Sequence, residues 1–194
     1  MIACAVALVL LMDASASILH NEWTLQRDAT AAAFRDPQVL AALERDGGVA
    51  VTAIAFSDAV TTIVPWRHLR DGADAARFAD ELAAAPRGAA GGTDIGAALF
   101  AGMAALAEAP CTAEQEVMDL ATDGEAHEAP VHQARAYAEA QGVRINALGV
   151  GAPEAAEWLR THAITPGGFA LGADSWADFP RAIRRKLTME LAAR

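Results

Sequence analysis

The chain has 194 residues, of which 54% are hydrophobic and 21% charged, enough for one well-buried domain, short for two, and unlike a disordered polymer. Its formal charge of −10 provides neither the basic footprint that nucleic acid requires nor attraction to an anionic membrane surface. Fourteen of the fifteen basic residues are Arg, so any lysine-dependent mechanism has one candidate, Lys186. Two cysteines, Cys4 and Cys111, exclude a disulfide-dense scaffold and a four-cysteine zinc site, and leave open a single bridge or two buried thiols.

Ile2 to Met12 is an unbroken apolar run followed by Ala14-Ser15-Ala16, which has the form of a signal-peptidase site. No Lys or Arg precedes the run, and eleven residues are too few to span a bilayer. Ala3–Met12 therefore reads as a strand buried on both faces. Localisation follows from what lies upstream: periplasmic or exported if a signal was removed there, cytoplasmic otherwise.

Asn21–Phe34 predicts a helix with Trp23, Leu25, Ala29, Ala32 and Ala33 along one face. Asp36-Pro37 opens a short helix to Glu44, which Gly47-Gly48 breaks. Val49–Phe56 is a second strand and Thr61–Val64 a third. The short Ser57-Asp58 link makes them a hairpin, with the third strand an antiparallel edge. A helix over Asp74–Ala85 stops before Pro86, and the Gly-rich loop Arg87–Gly92 leads to another that starts at Thr93 or Asp94 and runs to Ala109.

Further along come a fourth strand (Val117–Ala121), a helix (Pro130–Gln141), a fifth strand (Val143–Val150), a short helix (Glu154–Thr161) and a short sixth strand (Phe169–Leu171). Trp176–Ala193 closes the chain as an amphipathic helix carrying Phe179, Ile183 and Leu187, with Arg184-Arg185-Lys186 on its solvated face. The four tryptophans are scattered, which favours core or edge packing over an aromatic platform. This alternation predicts a three-layer, Rossmann-like α/β sandwich on a mostly parallel six-stranded sheet with one antiparallel edge strand. It forms one domain over residues 1–194.

In such sheets ligands sit beyond the carboxyl ends of the strands, where strand order reverses. The first strand ends in Asp13-Ala14-Ser15-Ala16-Ser17 and the fourth in Thr122-Asp123-Gly124. If these strands are neighbours, Asp13 and Asp123 emerge side by side, and two carboxylates so close need a cation or a proton between them. Gly91-Gly92-Thr93-Asp94 delivers a third hydroxyl at a helix start, with Asp94 as the helix cap. Asp13, Ser15, Ser17, Thr93 and Asp123 thus supply five oxygen donors from three loops, a set suited to Mg²⁺, Mn²⁺ or Ca²⁺ rather than zinc. His20, Glu125 and His127 line the rim of the same face, with Asn21 and Glu128 beside them.

Together and in this order, the D-x-S-x-S string, the Thr and the Asp before Gly resemble the metal-ion-dependent adhesion site (MIDAS) of von Willebrand factor type A (vWA) domains. The resemblance extends over nearly the whole chain. Gln26–Leu43, Val64-Pro65-Trp66 and the AIRRKL segment (182–187) look especially like a bacterial vWA-like family of uncharacterised function. One departure is Ala16, where such sites frequently have Gly. The resemblance implies a non-enzymatic module that holds a divalent cation and recruits a Glu or Asp carboxylate from a protein or peptide partner.

Rival readings are weaker. A haloacid-dehalogenase-type phosphatase needs Asp where Ser15 stands, and no Lys lies between residues 13 and 123. No G-x-S-x-G elbow or phosphate-binding glycine motif is present for hydrolase or nucleotide chemistry. A metal that merely fastens three loops together remains the structural alternative.

Overall fold

The computed structural model describes residues 2–43 and 47–192. Every residue from Val6 to Met12 is buried, because strand β1 (Ile2–Asp13) has a parallel strand on each side and helices over both faces. Its side chains alternate between two cores. Val6, Leu8, Leu10 and Met12 face one layer, and Ala7, Val9 and Leu11 face the other.

After β1 come α1 (His20–Ala33), α2 (Pro37–Leu43), β2 (Val49–Phe56), β3 (Val60–Leu69) and α3 (Gly72–Ala84). Then follow α4 (Ile95–Ala107), β4 (Cys111–Thr122), α5 (Glu128–Ala140), β5 (Arg144–Val150), α6 (Pro153–His162) and β6 (Ala170–Ala173). A single 3₁₀ turn (Trp176–Asp178) leads into α7 (Phe179–Ala192). The sheet order is β3-β2-β1-β4-β5-β6, with only β3 antiparallel. One core joins Trp23 of α1, Val39 of α2, Phe78 of α3 and Phe179, Ile183 and Leu187 of α7. Phe34 meets Phe78 edge to face at 4.8 Å. The opposite core joins Ile95 and Leu99 of α4, Val131 and Ala134 of α5 and Leu159 of α6.

The expected elements are present, and several differ in extent for identifiable reasons. β3 runs well past Val64 and through Pro65, which an edge strand tolerates where the register slips opposite Thr52. The Thr52 hydroxyl donates to the Val64 carbonyl at 2.8 Å at that point. β4 begins six residues before Val117, because pairing with β1 from Ile2 onward draws in the polar stretch 112–116. The last helix is broken into the 3₁₀ turn and α7. The expected ends at Glu44 and Ala193 lie outside the described residues.

Two findings concern residues that the sequence left open or placed elsewhere. Cys4 and Cys111 form a disulfide with their Cα atoms 5.8 Å apart, tying the first and fourth strands together at their starts. Lys186 does not lie on a solvated face. Arg184 and Arg185 are exposed, whereas Lys186 is fully buried, with its ammonium 2.6 Å from both Asp119 of β4 and Glu190 of α7. Residues 183, 186, 187 and 190 form one helical stripe, so the ammonium follows Ile183 and Leu187 inward and meets its counter-charges there.

Candidate metal centre

Strand order reverses between β1 and β4, since β2 and β3 lie to one side and β5 and β6 to the other. The two strands pair in register up to Met12 opposite Ala121, so the Asp13 and Asp123 loops leave the sheet as neighbours. Asp13 is completely buried. Its Oδ1 accepts the Ser15 backbone N–H at 2.7 Å, and its Oδ2 accepts a short hydrogen bond from the Thr122 hydroxyl. The Ser15 and Ser17 hydroxyls lie 3.0 Å apart, and Ser17 donates to Asp123 Oδ1 at 2.9 Å. A continuous polar path therefore runs from Asp13 through both serines to Asp123.

Thr93 stands just before α4. Its Oγ1 lies 3.9 Å from where a Cβ on Gly124 would be, which brings the third loop against the Asp123 turn. Asp94 caps α4 by accepting the Ala97 N–H at 2.8 Å. Asp13, Ser15, Ser17 and Asp123 are thus joined from two loops, and Thr93 approaches the Asp123 turn from the third. The three rim residues sit exposed at the same end of the sheet. His20 opens α1, Glu125 lies in the loop after β4, and His127 precedes α5.

Local chemistry explains the loop shapes. A Cβ on Gly91 would stand 2.4 Å from Asp58 Oδ2, and one on Gly92 2.5 Å from Asp58 Oδ1, so this carboxylate fits only against bare backbone. The Gly91 carbonyl accepts the Ala16 N–H at 2.8 Å, linking the glycine loop to the serine loop. Arg87, outside the expected ligand set, organises this link. The Arg87 guanidinium donates to the carbonyls of Ala14 (3.1 Å), Ser15 (2.6 Å) and Ile18 (2.5 Å). Its one signal was to be the only cation in a loop of small residues. Two other missed residues are Thr122 and buried Gln26, whose amide donates to the Asp13 carbonyl at 2.9 Å.

The electrostatics favour cation binding. Burial raises the Asp13 pKa; hydrogen bonds from Ser15 and Thr122 oppose the shift, and the Asp123 charge adds to it. Burial likewise raises Asp123, against the Ser17 hydrogen bond, and the charge of Glu22 adds to the effect. A buried acid and a half-buried one, set among hydroxyls with no nitrogen or sulfur donor in the set, have the donor chemistry of a hard divalent cation site.

Solved structures share this fold. Proximal thread matrix protein 1 from the mussel byssus superimposes with a TM-score of 0.76 at 19% identity, over 97% of this chain and 48% of that one. The same mussel protein with a zinc-occupied MIDAS motif gives 0.71 at 19% identity with the same coverage. The vWF domain of the type V pili tip protein Mfa5 from Porphyromonas gingivalis gives 0.70 at 12% identity, over 98% of this chain and 97% of that one. This chain therefore spans about half the length of the mussel protein. At these identities the likeness establishes the fold, which is that of vWA domains. No curated protein matches the sequence significantly. Residues 3–194 match the family described as "Protein of unknown function (DUF1194)".

Proposed function

The chain belongs to that DUF1194 family, and from this footing we propose that it is a divalent-cation-dependent binding module that recruits a carboxylate from a partner protein or peptide. The observation that carries the reading is the buried Asp13 carboxylate joined through Ser15 and Ser17 to Asp123 at the point where strand order reverses. Asp13, Ser15, Ser17, Thr93 and Asp123 hold Mg²⁺, with Mn²⁺ and Ca²⁺ as alternatives. When bound, the ion supplies a positive centre that accepts one further anionic oxygen, because Mg²⁺ commonly keeps exchangeable waters.

The protein's own groups prepare that encounter. Arg87 fixes the carbonyls of the serine loop, so Ser15 and Ser17 are held in place before any ligand arrives. The hydroxyls contribute no charge, and aspartates that act partly through water leave the divalent ion incompletely neutralised and open to one more anionic oxygen. His20, Glu125 and His127 form the rim against which a partner's flanking residues pack. The role proposed for the site is ligand binding rather than catalysis. The mussel protein with zinc at its MIDAS motif and the pilus-tip vWF domain support metal-dependent adhesion as the relevant chemistry.

The test is calorimetric titration of chelator-stripped protein with Mg²⁺, Mn²⁺ and Ca²⁺, beside the Asp13→Ala variant. One saturable site that disappears in the folded variant is expected, together with metal-dependent capture of Glu- or Asp-bearing peptides. Normal Mg²⁺ binding by Asp13→Ala would refute the assignment.

A further inference from the structure

We propose that Glu128, His132 and His162 form a second cation site, selective for zinc, between α5 and α6 and separate from the five-oxygen site at the strand ends. Glu128 and His132 are four residues apart in α5 and therefore share one face of that helix, while His162 is the last residue of α6. His132 Nε2 and His162 Nδ1 lie 2.8 Å apart, and His162 Nε2 is 3.8 Å from Glu128 Oε1. One ligand atom from each of the three residues lies within 4.8 Å of the others.

The donor chemistry differs from that of the first site. Two imidazoles and one carboxylate, leaving a coordination position open to water, match zinc, whereas Mg²⁺ favours oxygen alone. Tetrahedral zinc at its usual bond lengths holds two ring nitrogens roughly 3.3 Å apart, so His132 Nε2 and His162 Nδ1 need to part by about half an ångström, and the Glu128 carboxylate, which faces His162 Nε2, has to swing to the Nδ1 side. In the unbound arrangement one imidazole donates to the other, and the metal takes the place of that shared hydrogen.

The surroundings hold the ligands ready. Trp158 stacks on His162 with centroids 4.8 Å apart, and the His132 ring lies nearly parallel to His162 at 5.0 Å. Arg135 donates to the Thr161 carbonyl at 3.1 Å, a second tie between the helices. His162 keeps 16% side-chain exposure, whereas His132 and Glu128 are exposed, so the site is backed by protein and open on one side. The carbonyl end of α6 adds a favourable partial negative charge for a cation. Zinc would thus pin the first turns of α5, which follow the Asp123 loop, to the end of α6.

The experiment titrates Zn²⁺ into chelator-stripped protein in excess Mg²⁺, read by competition with a chromophoric chelator, for wild type, Asp13→Ala and His132→Ala. Wild type and Asp13→Ala are expected to bind one Zn²⁺ each under these conditions. Changes outside the ligand shell alone cost metal sites roughly 10- to 100-fold, so loss of the exposed His132 ligand should weaken zinc by at least about the upper figure. Ring-nitrogen NMR of the wild type provides a readout that needs no variant, with His132 and His162 shifting on zinc addition while His20, His68 and His127 stay in place. The proposal is overturned by zinc binding that survives His132→Ala unchanged, by zinc binding that vanishes with Asp13→Ala in folded protein, or by the absence of shifts at His132 and His162.

Discussion

Replacing Lys186 by Met tests the buried charge cluster directly. Met nearly conserves the volume and apolar stem of Lys, so packing changes little and the lost ammonium dominates. In the native protein that ammonium lies 2.6 Å from Asp119 and from Glu190, and all three groups are 2% exposed or less. Asp119 Oδ2 and Glu190 Oε2 have no hydrogen-bond partner among the described residues, so beyond a proton held on Glu190 itself the cluster has no donor to replace the ammonium. Removing one partner of a buried ion pair typically costs about 3–5 kcal/mol, because an uncompensated charge remains behind. For a chain of this length that corresponds to a fall in Tm of roughly 6–20 °C. The assay is urea unfolding followed by far-UV circular dichroism, with the slope compared to confirm that the midpoint alone moves. The triple variant Lys186→Met, Asp119→Leu, Glu190→Leu provides the contrast, since replacing a whole buried cluster by apolar groups is often neutral or stabilising. A loss below about 1 kcal/mol in Lys186→Met would refute the reasoning.

Three further outcomes follow from the same structure. Burial raises the Glu190 pKa well above its ordinary value, the Asp119 charge adds to this, and the Lys186 ammonium opposes it. The folded state therefore keeps a proton that the unfolded state releases, and stability should fall as pH rises from the ordinary glutamate range toward the raised value. Glu190→Gln should flatten that limb of a Tm-against-pH curve; an unchanged slope would locate the linkage elsewhere. Arg87→Ala removes the donor to three carbonyls of the serine loop and should weaken Mg²⁺ roughly 10- to 100-fold by calorimetry, while Arg67→Ala, on the outer edge strand, leaves affinity unchanged. The Cys4–Cys111 bridge spans 107 residues of sequence, for which chain entropy sets a stabilisation of about 4.8 kcal/mol. Observed values for such bridges centre on roughly 2–4 kcal/mol, so reduction should lower the urea midpoint markedly, and no change would show that the strand pairing alone holds these ends.

The layers of this fold were legible because its strands, β3 apart, are apolar runs and most of its helices carry an apolar stripe; α1 departs from its expected face, burying Gln26 and Thr30 while Ala32 is exposed. The first, second, fourth and fifth strands announce themselves by runs such as Val49–Phe56, and the third by its β-branched residues Thr61–Val64. The candidate site was legible for a related reason. Asp13, Ser15, Ser17 and Asp123 follow such runs directly, and strand adjacency converts distant sequence positions into spatial neighbours. What stayed hidden depends on pairing across the fold. Asp119 sits in the apolar heart of β4, and a carboxylate there demands a partner. Only the register of α7 over the sheet identifies that partner as Lys186, which its neighbours Arg184 and Arg185 disguise. Arg87 was hidden because its partners are backbone carbonyls, which leave no trace in side-chain pattern. The polar start of β4 was hidden because its strand character comes from β1 and the disulfide rather than from its own residues.

The burial of Lys186 also has a consequence for chemical labelling. Every exposed Lys or Arg among the described residues is an Arg, so the folded surface offers amine-directed reagents no lysine at all. Acylating dyes and aldehyde cross-linkers, apart from any reaction at an α-amino group, can reach this protein only when α7 lifts from the sheet. The rate at which an amine probe modifies Lys186 thus measures that opening, and a partner or metal that holds α7 down would register as slower labelling of a single residue.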